Sequence, residues 1–122
     1  MKTPLQKARK KADTEFQKKC MDKGGLCELC KIKPAYCCHH IIAKSLSNRL
    51  RYELKNGLRI CVGCHNKIHS LADPAIFKKI IDIIGKKRYN WLEKIRREKV
   101  KVNLKWYQDN LEKLKKDYRF DF

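Results

Sequence analysis

The chain has 122 residues, 31 of them Lys or Arg against 13 Asp or Glu, for a formal net charge of +18. That length supports one small domain with extensions and excludes two large cores, while so positive a field favours a polyanion, nucleic acid above all, held by counterion release. No apolar run reaches the ~18 residues of a transmembrane helix, the basic first segment has no signal-peptide core, and seven cysteines in such a chain imply reduced thiols and metal, so a cytoplasmic protein with no membrane partner is expected.

Residues 4–21 are expected to form a helix, with Pro4 near its start and Leu5, Ala8, Ala12 and Phe16 as a thin apolar stripe. The rest of its surface is mostly Lys and Arg, either a solvated face or a set of cations offered to phosphate. Gly24-Gly25 breaks it, so 1–25 reads as a basic N-terminal helix and 26–72 as the core.

Within the core, Cys27/Cys30 and Cys61/Cys64 form two Cys-x-x-Cys pairs. Each pair can turn two thiolates toward one point, and four thiolates complete the tetrahedral set of a structural zinc site. Cys20, Cys37 and Cys38 are left over, as small buried hydrophobes or as competing ligands. His39 and His40 lie in CCHHII, which reads as a short strand, and neighbours on a regular strand face opposite sides, so the two can share a site only through a twist, a strand end or a bulge. The following segment carries Lys44, Arg49, Arg51 and Lys55 among apolar residues, and Arg49 and Arg51 are the favoured phosphate contacts, with Lys44 beside them and Arg59 and Lys67 as weaker candidates. Asn56-Gly57 is a hairpin signal that returns the chain as a second strand, LRIC. His65 and His69 then fall four apart on a helix, one turn apart on one face, where they can meet a second metal.

Asp73-Pro74 reads as an N-cap followed by a helix to Gly85, expected to be the most buried helix of the tail. A short helix with Trp91, Leu92 and Ile95 follows. The last helix starts at a possible Asn103 cap and places Leu104, Tyr107, Leu111, Leu114 and Tyr118 in a heptad-like stripe, for packing inside the monomer or against a second copy. Residues 73–122 thus form a helical basic C-terminal extension, and the fold class is α+β.

The order HHI, Asn56 in NGL and CHxxxH resembles the HNH endonuclease family, in the subgroup with zinc knuckles on both sides. The resemblance implies a small ββα-metal core stapled by the four-cysteine zinc, and a metal-dependent DNA endonuclease. It makes His39 and His65 ligands of a catalytic divalent ion, His40 the general base, and Asn56 the residue that orients the base. His69 becomes a third ligand or a contact to the scissile phosphate. The chemistry agrees: hydrolysis needs a base poised near neutral pH and a cation for the developing charge. Mg2+ or Mn2+ is the expected catalytic ion, with Ni2+ or Zn2+ possible for so imidazole-rich a set.

Across most of the chain, from the basic helix through LRY before Asn56 to IGKKRYNWLEK and KWYQDNLEKLKKDY, the sequence is also similar to the bacteriophage NinG (Rap) recombination endonucleases. That similarity implies branched DNA such as a Holliday junction as substrate and a host-cell cytoplasm, and because one such centre cuts one strand, two opposed cuts in a junction would call for a homodimer. A nicking, homing or packaging HNH enzyme and a non-catalytic zinc-stabilised DNA-binding protein are the alternatives.

Overall fold

The computed structural model describes residues 1–71 and 74–116. The expected cap at Asp73 and the last stripe position, Tyr118, lie outside the described residues. The fold is α+β: helix α1 (Pro4–Met21), strands β1 (Cys37–His40) and β2 (Gly57–Ile60), and helices α2 (Val62–Leu71), α3 (Pro74–Ile84), α4 (Lys86–Ile95) and α5 (Leu104–Lys115). Among the described residues no helix is long and apolar enough to cross a membrane.

α1 starts on a capping box: Thr3 Oγ1 accepts from the Gln6 backbone N–H at 3.2 Å, and Gln6 Oε1 accepts from the Thr3 N–H at 2.9 Å. Its buried face is Ala8, Ala12, Phe16 and Cys20, four residues apart; Leu5 is exposed, so the stripe starts one turn later than expected. Gly24 and Gly25, both at positive φ, end the helix in a conformation other residues resist.

β1 and β2 pair antiparallel with Cys37 opposite Ile60, Cys38 opposite Arg59, His39 opposite Leu58 and His40 opposite Gly57. The pairing is regular, without a bulge at the doublet, so side chains alternate. Cys38 and His40 face α1, where His40 stacks on Phe16 with ring centroids 4.7 Å apart. Cys37 and His39 face α2.

Asn56-Gly57 is not a tight hairpin turn. Asn56 is fully buried at the end of a 3-10 turn (Leu54–Asn56), and Gly57 opens β2 with an ordinary negative φ. Glycine is needed there for space: a Cβ at Gly57 would lie 2.5 Å from Cys38 Sγ and 2.9 Å from Cys20 Sγ. Those two sulfurs are joined in a disulfide, which corrects the expectation of reduced thiols throughout; Cys37 stays free. The pair bridges α1 and β1, and their spacing in the chain carried no sign of it.

α3 is not the most buried helix of the tail. Only Ile80 is buried, and Phe77 is 45% exposed, because the apolar face of Ile76, Phe77, Ile80, Ile83 and Ile84 is wider than the small cluster around Cys27, Leu58 and Ile60 can cover. In α4, Leu92 closes a third cluster with Ile42 and Leu50, and Arg88 donates to the Lys55 and Gly57 carbonyls at 2.8 and 2.9 Å. α5 begins on Asn103, whose Oδ1 accepts from the Trp106 N–H, and packs Tyr107 and Leu114 against α1. Tyr107 and Leu114 of its stripe thus serve an internal seam, the first of the two uses foreseen for it, while Leu104 is exposed.

Candidate metal centre

The first knuckle is closed by the Leu26–Pro34 bridge, by Cys27 N–H donating to the Lys33 carbonyl at 2.7 Å, and by Lys31 at positive φ. The second lies where β2 runs into α2. In each, the second cysteine's backbone N–H points at the first one's sulfur, at 3.4 Å for Cys30 to Cys27 and for Cys64 to Cys61. The four sulfurs lie within 4.8 Å of one another, with Cys30 and Cys61 at 3.8 Å. A metal about 2.3 Å from each thiolate gives a tetrahedral edge of about 3.8 Å. The backbone N–H groups of Lys33 and Ile32 hold the Cys30 thiol down at about 6, whereas burial and the neighbouring thiols of Cys61 and Cys27 push Cys64 up to about 12. A cation among them would let four sulfurs this close lose their protons together, and the set can hold a metal such as zinc.

A second group lies on the α2 face of the sheet. His39, His65 and His69 place one ring nitrogen each within 4.8 Å of the others, with Nε2 of His65 and His69 at 3.0 Å. His65 and His69 come from adjacent turns of α2, and His39 projects from β1. Cys64 anchors the start of α2 to the cysteine group, so the first cluster positions the histidines of the second. Burial, then the nearby His69 and His65, lower His39 to about 4, and burial also lowers His65, so both are neutral and able to ligate near neutral pH.

His40 is on the other face of β1, yet it lines the same cleft, of about 350 Å³, as His39, His65 and His69. Gln17, Tyr36, Cys37, Cys38, Ala43 and Lys44 complete the walls, and the cleft follows the open edge of β1. Gln17 covers that edge by bonding the Cys38 carbonyl and N–H at 2.8 and 3.0 Å. A strand edge needs no bulge to present neighbouring residues to one cleft. Nε2 of His40 is 2.8 Å from the Arg51 carbonyl, and since a carbonyl can only accept, the proton sits on Nε2 and Nδ1 carries the lone pair. Burial lowers the His40 pKa more than that bond raises it, so the ring is neutral near pH 7.

Asn56 makes its side-chain hydrogen bonds to the backbone and not to this imidazole. Its Oδ1 accepts from Ile42 N–H at 2.8 Å, and its Nδ2 donates to the carbonyls of Ile42 and Leu50 at 2.9 and 3.3 Å. It acts one step away, by fixing the loop whose Arg51 carbonyl meets His40.

The arginines expected at phosphate are engaged inside the protein. Arg51 makes a two-pronged pair with Asp13 at 2.9 and 2.8 Å, Arg49 bonds Glu53 at 2.7 Å and Glu98 at 3.1 Å, and Arg59 reaches the Gly24 carbonyl and lies 3.6 Å from Glu28. Basic loops in a small fold need internal anchors, and an Arg fork suits a carboxylate as well as a phosphate. Lys44, in the cleft, and Lys67, on α2, are exposed and keep the expected role open. Asp13 was missed; its only signal is being one of two acids in an otherwise basic helix.

No family model, no curated protein and no solved structure matches this chain.

Proposed function

We propose that this protein is a metal-dependent DNA endonuclease of HNH type, in which the β1–loop–β2–α2 unit is the ββα-metal core and the four-cysteine group its structural zinc site. The observation that carries the reading is His40: a neutral imidazole, its proton fixed on Nε2 by the Arg51 carbonyl and its lone pair left on Nδ1, in a residue that lines the cleft with three potential ligands. An imidazole set for proton uptake beside a candidate metal group suits hydrolysis.

In this reading His39, His65 and His69 hold the catalytic divalent ion. Once bound, the ion supplies charge stabilisation for the phosphoryl oxygens and the leaving oxygen. His40 Nδ1 takes a proton from the attacking water as the water oxygen bonds to phosphorus, and the P–O ester bond opposite breaks, its oxygen leaving with the electron pair. Arg51, through its carbonyl, keeps the Nε2 proton in place, and Asn56 holds the loop. Lys44 offers a cation to the substrate phosphate. Branched DNA in phage recombination is the substrate and setting we favour, on the likeness to the NinG enzymes.

The second reading is a non-catalytic zinc-stabilised DNA-binding protein, and the stacking of His40 on Phe16 favours it, since a packed imidazole has a structural use as well. Supercoiled plasmid, a four-way junction and the matching linear duplex, each incubated with Mn2+ or Mg2+, separate the two. Nicking that His40→Ala abolishes supports the enzyme; binding without cleavage under any cation supports the binder.

A further inference from the structure

Away from the histidine cleft, α1 and α5 enclose a groove of about 520 Å³ lined by Lys2, Lys7, Lys10, Lys11 and Lys115, with Thr14, Glu15 and Leu111. All five lysines are exposed, and among the described residues none of them is ion-paired, in contrast to Arg49, Arg51 and Arg59. The arrangement works against the helix that carries it. Lys7 repels Lys10 and Lys11 at i+3 and i+4, and the first turn of α1 holds no acidic residue to balance the positive end of the helix dipole. Lys10 also depresses the Lys2 pKa, chiefly through a side-chain hydrogen bond and then by charge. A polyanion lying along the groove would relieve each of these repulsions.

The position suits a long ligand. Lys10 and Gln17 are seven apart, on one side of α1, and Gln17 lines the histidine cleft. From Lys7 to Gln17 the helix rises about 15 Å, four to five steps of a duplex strand at about 3.4 Å per step. We propose that the Lys2, Lys7, Lys10, Lys11 and Lys115 face of α1 and α5 docks the phosphate backbone of duplex DNA flanking the bond at the histidine cleft. The placement of that flank rests on the nuclease reading; the binding surface does not. Its contacts are to phosphate, so it adds affinity without sequence preference.

The test measures binding of the full-length, zinc-containing protein to a labelled 30-base-pair duplex over a range of salt, without added Mg2+ or Mn2+. Lys7→Gln/Lys10→Gln/Lys11→Gln keeps helix propensity and should lower the salt slope by about 2 to 3 and weaken binding about tenfold or more at low salt. The matching triple change to Arg should retain the slope. An unchanged slope in the Gln variant, an equal loss in the Arg variant, or binding to phosphatidylserine vesicles at salt that abolishes duplex binding would each overturn the proposal. Plasmid nicking by wild type with an unaltered Gln-variant slope removes this surface alone; a lowered slope in a protein that never nicks removes the nuclease and leaves the surface.

Discussion

The ring of His40 and the backbone of Arg51 are joined by a 2.8 Å hydrogen bond, and the side chain of the same arginine is clamped by Asp13 of α1. One residue therefore ties the candidate base to a helix outside the expected core. His40→Ala should leave zinc content and DNA affinity in place while cleavage falls by roughly 10²-fold or more. Asp13→Asn keeps the shape but loses the charge pairing and one of the two acceptor oxygens that meet Arg51 and Tyr52, so it should lower kcat with little change in KM, and Asp13→Glu should recover part of the loss. Full nicking by His40→Ala would remove the base from this residue.

Zinc is expected to be part of the fold. Cys61 is buried between the sheet and the start of α2, within reach of both knuckles. Cys61→Ser should lose the metal and unfold the hairpin, since zinc binding in small domains contributes on the order of 10 kcal/mol to folding. Metal analysis beside circular dichroism checks it, and a folded wild-type protein free of zinc would defeat it.

Gly57→Ala tests the packing at the start of β2. The added methyl meets Cys38 Sγ at 2.5 Å and Cys20 Sγ at 2.9 Å, where neither sulfur can swing away while bonded to the other. A loss of about 1–3 kcal/mol is expected, the usual range for overpacking. In the Cys38→Ala background much of that loss should vanish, and denaturation of the two single variants and the double variant measures the coupling. Strict additivity would place the strain elsewhere.

What could be read in the sequence was local. The bounds of α1 follow from Pro4 and a four-residue apolar rhythm, the knuckles from Cys-x-x-Cys, and the pairing of His65 with His69 from helical spacing. What could not be read were partners distant along the chain: Arg51 finds Asp13, Arg59 finds Glu28, Cys20 finds Cys38, and Asn56 serves the backbone of the loop that precedes it. Such pairings are products of packing, so spacing is silent about them. The exposure of Phe77 on α3 has the same origin, for a helix pattern tells which face is apolar but not how much core exists to cover it.

Acid should weaken the protein. Burial lowers the pKa values of His39, His40 and His65 in the folded state, His39 to about 4, whereas the unfolded chain titrates near 6.5. Between those values the unfolded state binds more protons, so stability is fully present above about pH 6.5 and falls as pH drops toward 4. Denaturation midpoints across that window should decline with falling pH, and a flat profile would mean the imidazoles are more solvated than the packing indicates.

The last prediction concerns the cation. Three imidazoles converge on one point, with the Nε2 atoms of His65 and His69 at 3.0 Å, and among the described residues no carboxylate belongs to that group. Imidazole suits Mn2+, Ni2+ and Zn2+, whereas Mg2+ prefers oxygen and gives up water reluctantly. Cleavage with Mn2+ should therefore equal or exceed that with Mg2+ at matched concentration, and His65→Asp, which adds one oxygen ligand, should shift the balance toward Mg2+. His39→Ala should weaken apparent affinity for the activating ion, visible as a rightward shift of the metal titration, while the zinc held by the cysteines stays bound. Strict Mg2+ dependence of the wild type would mean that the working ion is held by oxygen atoms of the substrate or water and not by these three histidines.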